Sequence, residues 1–221
     1  MTPSRLRWLV EPGSPTAELA SLFASAGHSL YLVGGSVRDA FLDRAHEDLD
    51  FTTDARPTEI RDRVSSWADA VYRVGEAFGT IGVRKGELLA EITTFRSEIY
   101  RDDTRKPDVT FSSDIESDLS RRDFTVNAIA LRLPDLEAVD PFEGLVDLAD
   151  GLLRTPLDPE ISFSDDPLRM LRLFRFQASL DFRIDPGTEA AVGRMADRIS
   201  IVSAERIRDE ISKLVIAPSP G

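Results

Sequence analysis

The stretch LVGGSVRDAFLDRAHEDLDFTT, residues 32–53, organises this chain. It joins a glycine-rich turn, a short helix that carries Arg38, and two aspartates one residue apart. Glycines let backbone N–H groups approach a phosphate, and the N-terminus of a helix favours negative charge. We therefore predict an anion site at Gly34 and Gly35, with Arg38 in reach of the same anion. The alternative is an ordinary tight turn.

The two aspartates, Asp48 and Asp50, belong to a segment whose pattern predicts a strand over residues 48–53. Because side chains alternate along a strand, both carboxylates face one side, roughly 7 Å apart, while Leu49 and Phe51 face the core. Adjacent carboxylates repel unless a cation neutralises them, and Mg²⁺ prefers carboxylate and phosphate oxygens. We predict a magnesium site at these aspartates. The alternative is a pair of acids at a solvated strand edge.

A third carboxylate is available at Glu91, in the predicted strand ELLAEITTFR. If that strand runs beside the strand of Asp48 and Asp50, Glu91 joins them as a catalytic residue. The alternative is an exposed strand glutamate.

A second polar cluster, RRDFTVNA, spans residues 121–128. The spacing of Asp123 and Asn127 predicts that both lie on one face of a helix. Together with Arg122 they offer acceptor and donor groups for ribose hydroxyls and a cation for a phosphate. The alternative is a helix cap with a surface ion pair.

A third cluster begins at DDPLR and carries a cationic helix face formed by Arg169, Arg172 and Arg175. A proline suits the first turn of such a helix. Asp166 and Arg169 combine an acceptor with paired donors, which match the hydrogen-bonding edge of a nucleotide base. The alternative is a solvated cationic face.

Composition limits the class of protein. The chain has 221 residues, is 42% hydrophobic and 30% charged, and therefore has enough apolar material for a packed core. Cysteine is absent, which excludes disulfides and thiolate metal sites. No apolar run approaches the ~18 residues of a membrane span, and we expect a cytoplasmic protein without a membrane partner. The net charge of −12 argues against a nucleic-acid binder, although basic residues gather at 101–106, 121–122 and 169–183.

The periodicity predicts an α+β fold: a mixed-sheet head with flanking helices over residues 1–150, then an all-helical neck over 151–221. Strands are predicted at 29–33, at 48–53, within 70–95 and in a final hairpin of ALRL with EAVD. Helices are predicted at 16–26, 37–42, 57–66, 113–119, 122–127, 143–150, 165–179, 187–198 and 203–215, the helix over 165–179 with an apolar stripe of Leu168, Leu171, Phe174 and Ala178. Residues 1–15 are expected to be irregular and 97–108 to form a mobile loop.

The ordered motifs resemble one family. The series G-G-x-V-R-D, D-x-D, R-R-D-F-T-x-N-A, D-P-F-x-G and (E/D)-D-x-x-R-x-x-R is similar to that of the class II tRNA nucleotidyltransferases, which include CCA-adding enzymes and bacterial poly(A) polymerases of the DNA polymerase β-like superfamily. It stands here at residues 34–39, 48–50, 121–128, 140–144 and 165–172.

The resemblance implies addition of C and A from CTP and ATP to the tRNA 3′ end, with two Mg²⁺ ions assisting attack of the RNA 3′-hydroxyl on the nucleotide α-phosphate. It implies metal binding by Asp48 and Asp50. It implies phosphate, ribose and base contacts by Gly35, Arg38, Arg122, Asp123, Asn127, Asp166, Arg169, Arg172 and Arg175. It also implies that the 97–108 loop takes part in the switch from C to A addition.

Two departures accompany the resemblance. Asp165 stands where the family usually has glutamate, and the chain stops at residue 221, so that it resembles the head and neck without the C-terminal body and tail. Alternative activities are those of a poly(A) polymerase or of a CC-only or A-only enzyme. An alternative of another class is a nucleotide- or tRNA-binding module without catalysis.

Overall fold

The structure, a computed structural model, describes residues 4–45, 48–99, 108–112 and 114–218. The strands are β1 Leu30–Val33, β2 Leu49–Thr53, β3 Ala70–Tyr72, β4 Thr80–Lys85, β5 Leu88–Thr94, β6 Arg96–Ile99, β7 Asp108–Phe111, β8 Ala130–Arg132, β9 Glu137–Val139, β10 Leu152–Leu153 and β11 Arg183–Ile184. The α-helices are α1 Pro15–Ser25, α2 Gly35–Phe41, α3 Pro57–Val64, α4 Ile115–Ser120, α5 Gly144–Asp150, α6 Pro159–Asp165, α7 Leu168–Leu180, α8 Pro186–Met195 and α9 Ala204–Val215. Short 3₁₀ helices occupy Ser4–Val10, Glu76–Phe78, Thr125–Asn127 and Ala196–Ile201.

Within the described residues, a seven-stranded mixed sheet runs in the order β3-β4-β5-β2-β1-β8-β9. Neighbouring strands are antiparallel except β2 and β5, which are parallel. The predicted turn between β4 and β5 is present, and Gly86 adopts φ +56° there, a conformation that favours glycine. The predicted final hairpin is also present as β8 and β9. The α+β fold class is confirmed.

One apolar cluster supports the sheet and the helices that follow it. It includes Phe51 of β2, Ile92 of β5, Phe163 of α6 and Leu173 of α7, all essentially inaccessible to solvent. Burial of each such side chain contributes about 1.5–3 kcal/mol before entropic costs. The residues before and after position 150 share this core, and the division into head and neck at that position stays a prediction.

Helix α7 buries Leu168 and Ala178 of the predicted stripe, but not its two middle members. Leu173 and Phe176 are buried, whereas Leu171 and Phe174 are only half-buried. The structure also contains α6, which was not predicted, and α7 begins at Leu168 rather than at residue 165. Helix α6 carries its own start signal, because Asp158 caps it by accepting from the Glu160 N–H and a proline follows.

The structure differs from the predicted secondary structure in three other places. Residues 4–10 form a 3₁₀ helix that buries Leu6 and Leu9, whereas an irregular segment was predicted. The predicted helix over 122–127 is only a 3₁₀ turn over Thr125–Asn127. The described parts of the predicted 97–108 loop form antiparallel strands β6 and β7, and residues 100–107 lie outside the described residues. No helix in the described ranges is long and apolar enough to cross a membrane.

Candidate active site

The turn from β1 into α2 brings backbone close to charged groups. Gly34 has φ +78° and ψ −140°, a conformation that essentially only glycine adopts without strain. A Cβ atom on Gly34 would lie 3.4 Å from Nη1 of Arg122 and 3.6 Å from Oδ2 of Asp50. A glycine at this position therefore leaves room between the cation and the carboxylate.

The acidic centre consists of Asp48, Asp50 and Glu91 and lies at β2 and the neighbouring strand β5. Asp48 and Asp50 are exposed, while Leu49 and Phe51 point into the core, as the strand pattern predicted. Asp48 directly precedes β2 rather than forming its first residue. Strands β2 and β5 run side by side, and Glu91 is the register partner of Asp50. The condition on which Glu91 was proposed as a third carboxylate is met.

No group of three or more His, Asp or Glu side chains within the described residues is arranged to hold a metal ion. The donors nevertheless fit Mg²⁺, because that ion is usually held by one or two carboxylates together with water and substrate phosphates. Asp48 and Asp50 supply two carboxylates on one face, next to the cationic groups of the same cavity.

A buried hydrogen-bond chain connects α2 to the segment before the 3₁₀ turn. Nη1 of Arg38 donates to Oδ1 of Asn127 at 2.7 Å, and Nδ2 of Asn127 donates to Oδ1 of Asp123 at 2.9 Å. The Phe124 N–H also donates to Asp123. The predicted contact between Asp123 and Asn127 therefore exists, although an α-helix does not produce it.

Asp123 is further paired with Arg172 of α7, whose Nε donates to its Oδ2 atom at 3.0 Å. Burial alone raises the pKa of Asp123, but the Arg172 charge and the Asn127 hydrogen bond outweigh it and lower that pKa to about 2. Asp123 is thus a buried carboxylate that remains ionised at neutral pH.

Helix α9 contributes an acid that the sequence analysis did not single out. Glu210 is only 4% exposed. It accepts from Nη1 of Arg172 at 3.3 Å and from Nε of Arg175 at 2.6 Å. The last helix therefore holds two arginines of α7 in place. The signal for Glu210 was weak, since an acid on a charged helix usually faces solvent.

The ring of Phe176 is in contact with three arginines of the site. The guanidinium carbons of Arg175, Arg38 and Arg172 lie 4.0, 5.1 and 5.4 Å from the centre of that ring. These distances are within the range of cation–π attraction. Phe124 packs against the same ring edge-on at 5.7 Å. Phe176 directly follows Arg175 in the sequence, but the predicted apolar stripe did not include it.

Asp118 of α4 positions the arginine pair of the second motif. Its side chain is 0% exposed and accepts from Arg121 at 2.9 and 3.1 Å and from Arg122 at 3.2 Å. The Thr52 hydroxyl of β2 lies 3.4 Å from the same carboxylate. Burial raises the pKa of Asp118, but the two guanidinium groups outweigh burial and hold it below its usual value.

Most of these groups line one cavity of about 810 Å³, and Asp118 and Glu210 hold its arginines from outside the lining. All predicted site residues line it except Asp166 and Arg169. The predicted residues present are Gly34, Gly35, Arg38, Asp48, Asp50, Glu91, Arg122, Asp123, Asn127, Arg172 and Arg175. The lining also includes Leu49, Tyr72, Gly82, Leu89, Ala90, Phe176 and Lys213, which the sequence analysis did not single out as site residues.

The predicted base-reading pair, Asp166 and Arg169, makes contacts within the protein instead. Arg169 is buried and donates to the Ser162 hydroxyl at 2.8 Å and to the Arg121 carbonyl. Asp166 accepts from Nη2 of Arg206 at 2.8 Å. Their role as base readers stays a prediction.

The chain matches two protein-family models and several known proteins. Residues 30–154 match the family described as the Poly A polymerase head domain, and residues 181–221 match one described as a probable RNA and SrmB-binding site of polymerase A. The chain is 43% identical to a CCA-adding enzyme of Lactobacillus helveticus over 194 residues, covering 87% of this chain and 47% of that protein. It is 38% identical to a CCA-adding enzyme of Limosilactobacillus reuteri, covering 100% and 53%.

Two solved structures agree with the fold. The Bacillus stearothermophilus CCA-adding enzyme in complex with CTP superposes with a TM-score of 0.82 at 33% identity, covering 99% of this chain and 50% of that chain. The Thermotoga maritima CCA-adding enzyme complexed with tRNA superposes with a TM-score of 0.80 at 29% identity, covering 100% and 52%. The chain thus spans about half the length of the relatives it matches.

Proposed function

This chain belongs to the Poly A polymerase head domain family, and we propose that it is the catalytic part of an enzyme that adds C and A from CTP and ATP to the 3′ end of tRNA. One observation supports this most strongly. The carboxylates of Asp48 and Asp50 share a cavity with a set of arginines, and that cavity is large enough for a nucleotide. The relatives at about 40% identity are CCA-adding enzymes.

The nucleotide occupies the cationic side of the cavity. Arg38, Arg122, Arg172 and Arg175 line that side, and guanidinium groups match phosphate oxygens geometrically. Nε of Arg122 is buried without a hydrogen-bond partner among the described residues, so that it has donor capacity for a phosphate. Asp123 and Asn127 border the same space and offer hydrogen bonds to ribose hydroxyls.

The reaction is an in-line displacement at the α-phosphorus. The RNA 3′-oxygen forms a bond to that phosphorus and loses its proton, while the bond to the β-phosphate oxygen breaks and pyrophosphate leaves. Asp48 and Asp50 would hold Mg²⁺, which supplies charge neutralisation for the attacking and leaving oxygens when bound. The arginine cluster orients the triphosphate and stabilises its charge. Glu91, in register with Asp50, is positioned to contact the incoming 3′-end.

Base selection falls to Asp166 and Arg169 in this proposal. Both side chains must then exchange their present contacts for contacts with a base. The Asp166–Arg206 pair is readily exchanged because Arg206 is about half exposed, and exposed ion pairs contribute little stability. Residues 1–150 form the catalytic head in this proposal, and residues 151–221 form the neck that recognises the base.

Poly(A) synthesis is the second candidate, because the matching family takes its description from poly(A) polymerases. The test supplies one nucleotide at a time to a tRNA that ends before CCA. We expect incorporation of C from CTP and then of one A from ATP. A long A tail from ATP alone would support poly(A) synthesis, and incorporation of only one of the two nucleotides would support a CC-only or A-only enzyme. Magnesium-dependent CTP binding without incorporation would support a binding module.

A further inference from the structure

One end of the cavity differs in chemistry from the arginine-lined end. Tyr72 and Leu89 line it and are 46% and 57% exposed. These side chains lie on the edge strand β3 and on β5, whereas the turn into α2 and the segment that carries Arg122 adjoin β1 and β8 on the other side of β2. The nucleotide site described above does not use them.

The sheet register fixes where Tyr72 stands. Tyr72 pairs with Gly82, Gly82 pairs with Glu91, and Glu91 pairs with Asp50, so that these residues form one row across four strands. Residues in such a row face the same side of the sheet, and neighbouring strands lie about 4.8 Å apart. Tyr72 is therefore about 14 Å from Asp50, measured across three strand spacings on the catalytic face.

Gly82 carries no side chain at the position in the row between Tyr72 and Glu91. A Cβ atom on Gly82 would lie 3.2 Å from Cβ and 3.4 Å from Cδ2 of Tyr72. The aromatic side chain thus rests over a strand position without a side chain. The row consequently forms a trough, with the tyrosine at its outer end and the carboxylates at its inner end.

A cation borders this trough. Arg84 lies two residues after Gly82 on β4, so that it faces the same side of the sheet, and it is exposed. It pairs in register with Leu89. Asp69 is an acid at this rim, and its carboxylate accepts from the Gly86 N–H at 2.8 Å and lies 3.5 Å from Lys85.

We propose that Tyr72, Leu89 and Arg84 form a subsite for the nucleotides that immediately precede the 3′ end of the RNA. This rests on the proposed function, because a 3′-hydroxyl at the carboxylates places the preceding nucleotide on the side away from the triphosphate arginines. Single-stranded nucleic acid binds through bases stacked on aromatic rings and through cations that track the backbone. A base stacks on Tyr72 beside Leu89, and Arg84 neutralises a phosphate.

The test measures two affinities of the 221-residue chain. The first is for a fluorescein-labelled single-stranded RNA ending in CC, by fluorescence anisotropy, and the second is for CTP with Mg²⁺, by calorimetry. We expect Tyr72→Ala to weaken RNA binding about tenfold, which is the scale of one stacked base, and to leave CTP binding unchanged. Tyr72→Phe retains the ring and should bind RNA as the unchanged chain does. Phe78→Ala, which removes another exposed aromatic side chain outside the cavity, is the matched control.

Arg84→Gln should reduce the slope of log affinity against log salt by about 0.7, the value for one phosphate contact on a single strand.

RNA binding unaffected by Tyr72→Ala, or equally weakened by Phe78→Ala, would overturn the subsite. Absence of RNA binding by the unchanged chain would overturn it as well. If RNA binding depends on Tyr72 but no nucleotide is incorporated, the subsite stands and the proposed function fails. If incorporation proceeds with the same KM for RNA in Tyr72→Ala, the function stands and the subsite fails.

Discussion

Arg172 on α7 donates two hydrogen bonds to a single oxygen of Asp123, 49 residues earlier in the chain. The same guanidinium group also contacts Glu210 on α9. Asp123 in turn accepts from Asn127. The cavity wall is thus held by one network that reaches from the second motif to the last helix, and its members can be removed one at a time.

Asp123→Asn should weaken the dependence of folding stability on pH in the acid range. The pKa of Asp123 is lowered from 3.8 to about 2, so that its ionised form contributes about 2 kcal/mol of folding stability above pH 4. This contribution is lost as the pH falls from about 4 toward 2. Urea unfolding of both proteins should therefore show a stability deficit of the variant at pH 7 that shrinks below pH 4. A deficit that stays constant down to pH 2 would contradict the low pKa.

Asp118→Ala should destabilise the protein by about 3 kcal/mol, because it removes the buried carboxylate that two largely buried guanidinium groups contact. The matched control is Asp62→Ala, which removes an exposed partner of Arg61 at 3.3 Å. That change should cost less than about 0.5 kcal/mol. Urea denaturation measures both, and equal losses would show that Asp118 is not a buried counter-ion.

Glu210→Gln should weaken CTP binding about tenfold, because two charge-assisted hydrogen bonds that hold Arg172 and Arg175 become weaker. Asp209→Asn is the control, since the neighbouring acid is exposed and lies 3.7 Å from Arg208. Calorimetric titration with CTP distinguishes the two variants. Equal CTP affinity in both would mean that α9 does not position these arginines.

Gly34→Ala should reduce both stability and nucleotide affinity. The backbone strain costs about 1–3 kcal/mol, and the added methyl enters the space between Arg122 and Asp50. Gly27 also has a positive φ, but nothing lies within 4 Å of a Cβ atom there. Gly27→Ala should therefore reduce thermal stability while CTP affinity is retained. If Gly34→Ala bound CTP as tightly as Gly27→Ala, the turn would have no part in the nucleotide site.

The sequence was most informative where local periodicity determines structure. The alternation at Asp48, Leu49, Asp50 and Phe51 predicted which side chains face the core, because a strand allows only two directions. The parallel pairing that brings Glu91 beside Asp50 depends on strand order. The local pattern therefore predicted Glu91 as a third carboxylate only on the condition that the two strands are neighbours.

Distant contacts explain the errors. A helix was predicted through Asp123 and Asn127, but Phe124 is extended and the Thr125 N–H donates to the Arg154 carbonyl. The role of Glu210 depends on arginines of α7, and Asp118 pairs with Arg121 and Arg122 of its own segment but is buried by contacts with β2. The i,i+3 and i,i+4 spacing at Asp118 indicates the ion pairs but not the burial, and nothing in α9 indicates that Glu210 is buried.

The most direct test of the account measures incorporation of labelled CTP into a tRNA that ends before CCA, with Mg²⁺, by the unchanged chain, Asp50→Asn and Asp62→Asn. Asp62 is an exposed acid on α3, outside the cavity. We predict that the unchanged chain and Asp62→Asn extend the RNA, whereas Asp50→Asn is slower by at least about a hundredfold, as for loss of a group that stabilises transition-state charge. Equal rates in all three, or no extension by the unchanged chain, would contradict nucleotidyl transfer at the Asp48–Asp50 centre.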